Sequence, residues 1–220
     1  NSTYLTTYCR QYNPRSFYIG QGCELELFAH PADTSMPPDI ASVPRPLIGY
    51  VGALQSIRLD IDLLAFIARQ RPEWSIVLVG PEDEKFKNSS LHSIKNIYFT
   101  GSKQPAELPR YINAFDVCLN PQLVNEVTIG NYPRKIDEYL AMGKPVVATA
   151  TEAMTIFMVH TYLANTKQDY VNLIEKALKN DSPLLQSQRR NFASAHTWEN
   201  SVRELYKIIN TLEGNLTPGY

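Results

Sequence analysis

The sequence predicts an α/β fold, a doubly wound parallel sheet with helices on both faces. From Leu47 onward, short apolar runs alternate with helical segments of about three turns, the rhythm of βαβ units. The runs are continuously apolar rather than alternating, as expected of strands buried on both faces. Right-handed crossovers between such strands make the sheet doubly wound.

Six strands and the helices between them can be placed in order along the chain. Strands are predicted over residues 47–52, 75–81, 97–101, 117–122, 145–150 and 161–164. Apolar residues recur at helical spacing over residues 60–70, 106–114, 133–142, 167–178, 184–195 and 198–212. Asp60 is expected to cap the first of these helices or to lie in its first turn.

The first 46 residues differ from the rest of the chain. Residues 2–11 predict a short helix, and the aromatic and β-branched content of residues 16–20 predicts a strand. Five prolines between Pro31 and Pro46 exclude a regular helix and predict an extended linker. We therefore divide the chain into residues 1–46 and a Rossmann-like domain over residues 47–220.

Composition and charge exclude several classes of protein. With 21 basic and 22 acidic side chains the net charge is −1, which gives no basic footprint for nucleic acid. No stretch approaches the roughly 18 apolar residues that span a bilayer. Three cysteines without a CxxC or Cys/His cluster argue against a metal site and favour a cytoplasmic location. Because the chain starts without Met or a signal peptide, we expect a piece of a longer protein.

The loops after the first and fourth strands are the candidate binding region. In a sheet of strand order 3-2-1-4-5-6 they flank the crevice where the order reverses, beyond the carboxyl ends of the strands. Gly52 lets the backbone approach a ligand closely, and Arg58 could clamp a phosphate. The first loop is neither GxGxxG nor a Walker loop. Taken alone, it favours a plain turn with a solvated arginine.

The fourth loop leads into a richer segment. Pro133 suits the first turn of a helix, where free N–H groups and the dipole favour an anion. Lys135 adds a cation, and Glu138 lies three residues further on the same face. A carboxylate there suits paired hydroxyls, such as those of a ribose. Equally open is a Lys135–Glu138 surface ion pair worth under about 1 kcal/mol.

The remaining polar residues carry weaker signals. The histidines are scattered without a second ligand or nucleophile at a telling spacing, and no GxSxG or HExxH motif occurs. They are predicted to be ordinary surface or loop residues: His30, His92, His160 and His196.

Residues 133–149, PRKIDEYLAMGKPVVAT, carry a family resemblance. They resemble the P-x-K-x-x-E-Y-L-A-x-G-K-P-V-V signature of GT-B glycosyltransferases of group 1 (GT4-like). Supporting segments follow the family's order over roughly residues 44–212. They include YVGAL (50–54), VGP (79–81), LPRY (108–111) and TWE (197–199), and QGCE (21–24) resembles the family's interdomain segment.

The resemblance implies a fold and a set of donor-binding residues. A full enzyme of this family has two Rossmann-like domains, and the C-terminal one holds the nucleotide-sugar donor. Residues 47–220 would be that domain, and residues 1–46 the linker and the end of the preceding domain. Glu138 would hold the ribose hydroxyls, while Arg58 and Lys135 would neutralise the diphosphate without a metal. Gly52, Ala53 and Pro133 complete the implied donor-binding set.

The implied function is transfer of sugar from a UDP-, GDP- or dTDP-sugar to a glycan or polysaccharide precursor. No cofactor is expected, and no catalytic residue is assigned, because the acceptor would bind mostly to the missing N-terminal domain. We therefore expect the isolated chain not to turn over. The location implied is cytoplasmic, with peripheral contact at the inner face of the membrane left open.

Two departures from the family pattern keep alternatives open. Many members carry a second glutamate eight residues before the position of Glu138, where this chain has Gly130. Many also carry G-R-x-x-x-x-K-G in the first loop, where this chain has only Arg58. These departures favour a degenerate non-catalytic nucleotide-sugar-binding or scaffold domain. A GT-B-type epimerase is a third reading.

Overall fold

The central sheet has six parallel strands whose order, numbered along the chain, is 3-2-1-4-5-6, the order on which the placement of the candidate loops depends. The structure is a computed structural model that describes residues 2–214. Asn1 and residues 215–220, the latter included in the predicted second domain, lie outside the described residues. The strands are β1 (Leu47–Val51), β2 (Ser75–Val79), β3 (Ile97–Gly101), β4 (Val117–Asn120), β5 (Val146–Thr149) and β6 (Tyr162–Ala164).

Helices cover both faces of the sheet, as predicted. Alternate residues along each strand enter two separate apolar clusters, one on each face of the sheet. Val51 lies with the helices over residues 108–114, 135–141 and 183–193, and Ile48 with the helices over residues 61–70 and 167–180. None of the helices within residues 2–214 has the length and apolar content to cross a membrane. They are α1 (Thr3–Arg10), α2 (Leu25–Ala29), α3 (Ile61–Gln70), α4 (Glu84–Lys87), α5 (Leu108–Ala114), α6 (Lys135–Ala141), α7 (Lys167–Asn180), α8 (Pro183–Ala193) and α9 (Trp198–Gly214).

Local sequence signals set several of these boundaries. The Asp60 carboxylate accepts the Leu63 N–H at 2.8 Å and caps α3, as predicted. Gly143 follows α6 with φ +74°, a left-handed conformation that favours glycine.

The strand predicted over residues 16–20 is wrong, although the helix predicted before it is present as α1. Residues 16–20 have irregular backbone, and Gly20 adopts φ +78°, which interrupts an extended chain. Tyr18 and Ile19 instead line a small cavity together with Ser201 of α9. Their apolar content therefore reflects packing against a helix rather than pairing in a sheet.

The proline-rich segment is anchored along α5. It is irregular apart from a 3-10 turn at Pro38–Ile40, and Ile40 is buried. The Asp39 carboxylate accepts hydrogen bonds from Lys103 Nζ at 2.8 Å and from Tyr111 Oη at 2.8 Å. Burial opposes ionisation of Asp39, but these two donors hold its pKa below the usual value. A domain boundary in this segment stays a prediction.

Lys144 closes the end of α5. Its Nζ donates to the backbone carbonyls of Asn113 at 2.6 Å and Phe115 at 3.0 Å. These carbonyls stand at the C-terminal end of the helix, where backbone acceptors lack intrahelical partners and a cation is favoured. Lys144 therefore has a structural function.

We predict that Lys144→Met lowers the free energy of unfolding by about 2 kcal/mol, because two carbonyls lose a charged donor. Urea denaturation measures the change. Lys95→Met is the matched control, since Lys95 is exposed at the same amino edge of the sheet, just before β3. Equal stability of the two variants would contradict the assignment.

Candidate functional site

The loops after β1 and β4 meet at the carboxyl edge of the sheet, as predicted. The two loops are joined by backbone hydrogen bonds and by one side-chain bond. The bonds are Asp60 N to Pro121 O at 2.9 Å, Leu123 N to Arg58 O at 2.8 Å and Asn125 Nδ2 to Ile57 O at 2.9 Å. The crevice at the switch in strand order is therefore walled by two loops held in a fixed relation.

Backbone conformation and crowding favour glycine after β1 and after β2. Gly52 adopts φ +142°, and a Cβ there would lie 3.1 Å from Lys135 Cε and 3.0 Å from Tyr50 Oη. The neighbouring Gly80 adopts φ +146°, and a Cβ on it would lie 2.0 Å from the Gly52 carbonyl oxygen. The two glycines thus allow the two backbone segments and the Lys135 side chain to approach one another closely at this edge.

Lys135 is held over an aromatic ring at this edge. Its Nζ lies 5.0 Å from the centroid of the Tyr50 ring, within the range of a cation–π contact. No salt bridge joins Lys135 to Glu138 or to any other carboxylate in residues 2–214. The surface ion pair considered from the sequence is therefore not formed. The ammonium charge stays available to an anion.

Pro133 does not lie in the first turn of α6, contrary to the prediction. The helix begins at Lys135 with Arg134 as its N-cap. The Ile136 N–H donates to the Pro133 carbonyl at 2.9 Å, a tighter three-residue turn that precedes the α-helix. Because α6 has only seven residues, its dipole adds less than the Lys135 charge.

Glu138 is half-buried, and its carboxylate makes no hydrogen bond or salt bridge with other described residues. Burial raises the pKa of its carboxyl, Lys135 and Arg134 lower it, and Asp137 and Glu24 raise it again, with a net increase. The fold gains nothing from this carboxylate. A ligand that donated hydrogen bonds to it would offset the cost of burying it.

Arg58 and Ala53 lie on the same edge but are exposed. Neither a hydrogen bond nor a salt bridge connects the Arg58 guanidinium to Lys135, Glu138 or another described group. The structure thus brings Gly52, Lys135 and Glu138 together. It places Arg58 on the first-loop wall with a free side chain.

Most of the segment 133–149 serves the fold. The fully buried Tyr139 accepts the Val51 N–H at 2.8 Å and ties α6 to the end of β1. Gly143 ends the helix and Lys144 caps α5. Lys135, Glu138 and the exposed Arg134 are the charged residues of this segment whose side chains make no hydrogen bond or salt bridge within residues 2–214.

The prediction that His196 is an ordinary loop residue is wrong. Its Nδ1 lies 2.6 Å from a carboxylate oxygen of the fully buried Asp137, which also accepts a hydrogen bond from Tyr132 Oη at 2.7 Å. His92 likewise pairs with Glu82 at 2.8 Å. No spacing signal could have indicated the first contact, since 59 positions separate its partners.

A cavity of about 880 Å³ adjoins the site. It lies between α1 and the loop after β4, with Tyr4, Tyr8, Glu126 and Gly130 among its lining residues. A Cβ on Gly130 would lie 2.6 Å from the Tyr4 ring. The tyrosine therefore occupies the space that a glutamate side chain would need.

A metal centre has no counterpart in the part of the chain that the structure describes. No group of three His, Cys, Asp or Glu side chains in residues 2–214 is placed to hold a metal ion. The charged groups described at the carboxyl edge are the side chains of Arg58, Lys135 and Glu138.

Comparisons with known proteins identify glycosyltransferases as relatives of this chain. The model of the family "Glycosyl transferases group 1" matches residues 45–180. A protein of Bacillus subtilis (strain 168) named as a teichuronic acid biosynthesis glycosyltransferase, TuaH, is 29% identical over 200 residues, covering 86% of this chain and 49% of that protein.

Solved structures share the fold at low identity. Anabaena HepE, solved with UDP and glucose, matches 97% of this chain and 61% of its own with a TM-score of 0.70 at 21% identity. Sucrose-phosphate synthase from Thermosynechococcus elongatus matches 98% of this chain and 58% of its own with a TM-score of 0.71 at 20% identity.

The chain thus spans about half the length of the curated relative, at 49%. The family match covers more than half of the chain, and the sheet order and carboxyl-edge crevice agree with it. The chain belongs to the group 1 glycosyltransferases.

Proposed function

We propose that this chain is the donor-binding half of an enzyme that transfers a sugar from a nucleoside-diphosphate sugar to a glycan or polysaccharide precursor. One observation carries the proposal. Within the family segment, the fold uses Tyr139, Gly143 and Lys144 but leaves Lys135 and Glu138 at the carboxyl edge without salt-bridge partners. A cation and a carboxylate three residues apart suit a diphosphate and a pair of hydroxyls.

The cations would act on the diphosphate. Lys135, held over Tyr50 and beside Gly52, would contact it directly, and Arg58 would reach it from the first-loop wall. Negative charge develops on the leaving diphosphate during transfer, so cations fixed there lower the barrier. Gly52 and Ala53 would let the phosphates approach the backbone, and no metal would be required.

Glu138 would bind the ribose. A desolvated carboxylate gains most from hydrogen bonds that a ligand donates, and the two ribose hydroxyls are such donors. The Anabaena HepE structure, solved with UDP and glucose, makes UDP the first nucleotide to test. Lys135 and Glu138 have no salt-bridge partners, and leaving the Glu138 carboxylate half-buried costs free energy. In a degenerate scaffold nothing would offset that cost, so these free side chains argue against it.

The acceptor would bind mainly outside this half of the enzyme. The Bacillus subtilis relative is named for teichuronic acid biosynthesis and is about twice the length that this chain covers. That name supports a polysaccharide precursor as acceptor. Its contacts would lie mostly on the other half of the enzyme.

Titration calorimetry of the 220-residue chain with UDP, GDP and dTDP tests the donor site. We expect one nucleotide to bind. Lys135→Ala should weaken it about tenfold by removing a charged contact to the diphosphate, and Glu138→Ala about a hundredfold by removing two hydrogen bonds.

Two controls lie at the amino edge of the sheet. Lys95→Ala and Glu73→Ala remove exposed charges just before β3 and β2 and should leave the affinity unchanged. If no nucleotide binds, or if the control variants lose as much affinity as the site variants, the proposal is wrong.

Glu138→Gln should stabilise the chain while weakening nucleotide binding. Because the pKa of Glu138 is raised in the folded state, protonation of its carboxyl stabilises the fold. This stabilisation is complete below the unfolded-state pKa and is lost as pH rises through the folded-state pKa. We expect a gain of about 1 kcal/mol near pH 7. The gain should vanish near about pH 4, where the wild-type carboxyl is protonated.

Urea denaturation at the two pH values measures this effect, with Glu73→Gln as the control that should change neither. A variant equally stable or less stable than wild type at neutral pH would show that Glu138 supports the fold. That result would remove the argument that it is reserved for a ligand.

A further inference from the structure

Asp137 is the fully buried carboxylate next to Glu138 on α6. One of its oxygens accepts the Tyr132 hydroxyl at 2.7 Å, and the other lies 2.6 Å from His196 Nδ1. The cavities found around the candidate site do not include Asp137 among their lining residues. It therefore cannot contact a ligand in this arrangement, and any effect on binding has to pass through its neighbours.

The two partners approach Asp137 from different parts of the chain. Tyr132 belongs to the loop that leads into α6, and His196 lies between α8 and α9. The His196 ring packs edge-on against Phe157 and Phe192, with centroids 6.1 and 4.6 Å away. The Cys23 N–H also donates to the His196 carbonyl at 3.1 Å. The imidazole is thus fixed by ring contacts and by the backbone.

Holding a carboxylate in this place has a cost. Burial raises the pKa of Asp137, and the bonds from His196 and Tyr132 only partly oppose the increase. An apolar residue of similar size would often serve stability as well as such a buried charged group. The fixed geometry of two hydrogen bonds is what a carboxylate adds.

That geometry fixes the rotation of α6 at Asp137, in addition to the bond that joins Tyr139 to Val51. Successive residues of an α-helix are about 100° apart around its axis, so fixing one side chain fixes the direction of the next. Glu138 follows Asp137 directly, and its carboxylate has no hydrogen bond to orient it. Lys135 is held independently by Tyr50.

We propose that Asp137, clamped between Tyr132 and His196, is a positioning residue that orients Glu138 toward the ribose hydroxyls of the donor. The inference rests on the proposed function. It separates the two parts of donor recognition, because the clamp governs the hydroxyl contact and leaves the diphosphate contact of Lys135 alone.

The test compares the affinity of the 220-residue chain for UDP with that for 2′,3′-dideoxyuridine diphosphate, which lacks both hydroxyls. The ribose contact is measured by the dissociation constant for the dideoxy compound divided by that for UDP. We expect Asp137→Asn and His196→Leu to lower this ratio about tenfold, within the coupling known for residues of one hydrogen-bond network. Dideoxy affinity should stay unchanged. Glu138→Ala defines complete loss of the ribose contact.

Conservative variants separate positioning from stability. His196→Asn keeps an N–H donor near the place of Nδ1 and should retain most of the ratio, although it loses the ring packing. Tyr132→Phe removes the hydrogen bond to Asp137 and the longer 3.4 Å contact with His196 Nδ1, and should lower the ratio partly in a chain that still folds. Thermal unfolding of each variant measures how much its stability changes along with the affinity ratio.

The outcomes are distinct. A normal ratio in folded Asp137→Asn and Tyr132→Phe, with reduced stability only, would show a purely structural network and overturn the inference while the donor site stands. An equal fall in UDP and dideoxy affinity would overturn it as well. Absence of any nucleotide binding by the wild-type chain would refute the proposed function and this inference with it.

Discussion

The crowding at the end of β1 is the constraint on which the rest of the site depends. Gly80 has no space for a Cβ because the Gly52 carbonyl would lie 2.0 Å from it, and Gly52 is covered by Lys135 and Tyr50. Tyr139 holds α6 against the same strand through the Val51 N–H. The loop, the strand end and the helix start therefore form one rigid edge, and any ligand that binds there meets backbone and Lys135 together.

Around this edge, side chains divide into those that serve the fold and those that do not. Lys144 and Lys135 belong to the same segment, yet Lys144 caps α5 and Lys135 keeps a free charge. Asp137 and Glu138 are neighbours with the same contrast: Asp137 has two hydrogen-bond partners and Glu138 has none. A carboxylate left half-buried without a partner costs free energy, and this cost is the physical basis of the proposed ribose contact.

Much of this arrangement could be predicted from the sequence. The continuously apolar strands predicted the parallel sheet, because burial on both faces leaves a direct compositional trace. Gly52, Lys135 and Glu138 were expected at the carboxyl edge from their places after β1 and at the start of α6. The start of α6 itself was misplaced, since Pro133 takes part in a tighter turn before the helix. Residues 16–20 were misassigned because packing on α9 demands the same residues as pairing in a sheet.

Contacts between distant segments could not be predicted in this way. The pairing of His196 with Asp137 joins residues that only the packing of α8 against α6 brings together. The position of Tyr4 against Gly130 depends on where α1 lies, which no local pattern specifies. Periodicity reports which face of an element is buried, but the identity of the partner across that face is a property of the tertiary structure.

A crystal structure of the chain soaked with UDP tests the central claim most directly. The account predicts the diphosphate beside Lys135 and the Gly52 backbone, with the ribose hydroxyls within hydrogen-bond distance of the Glu138 carboxylate. UDP bound elsewhere, or a ribose turned away from Glu138 while the carboxylate stays unpartnered, would contradict it.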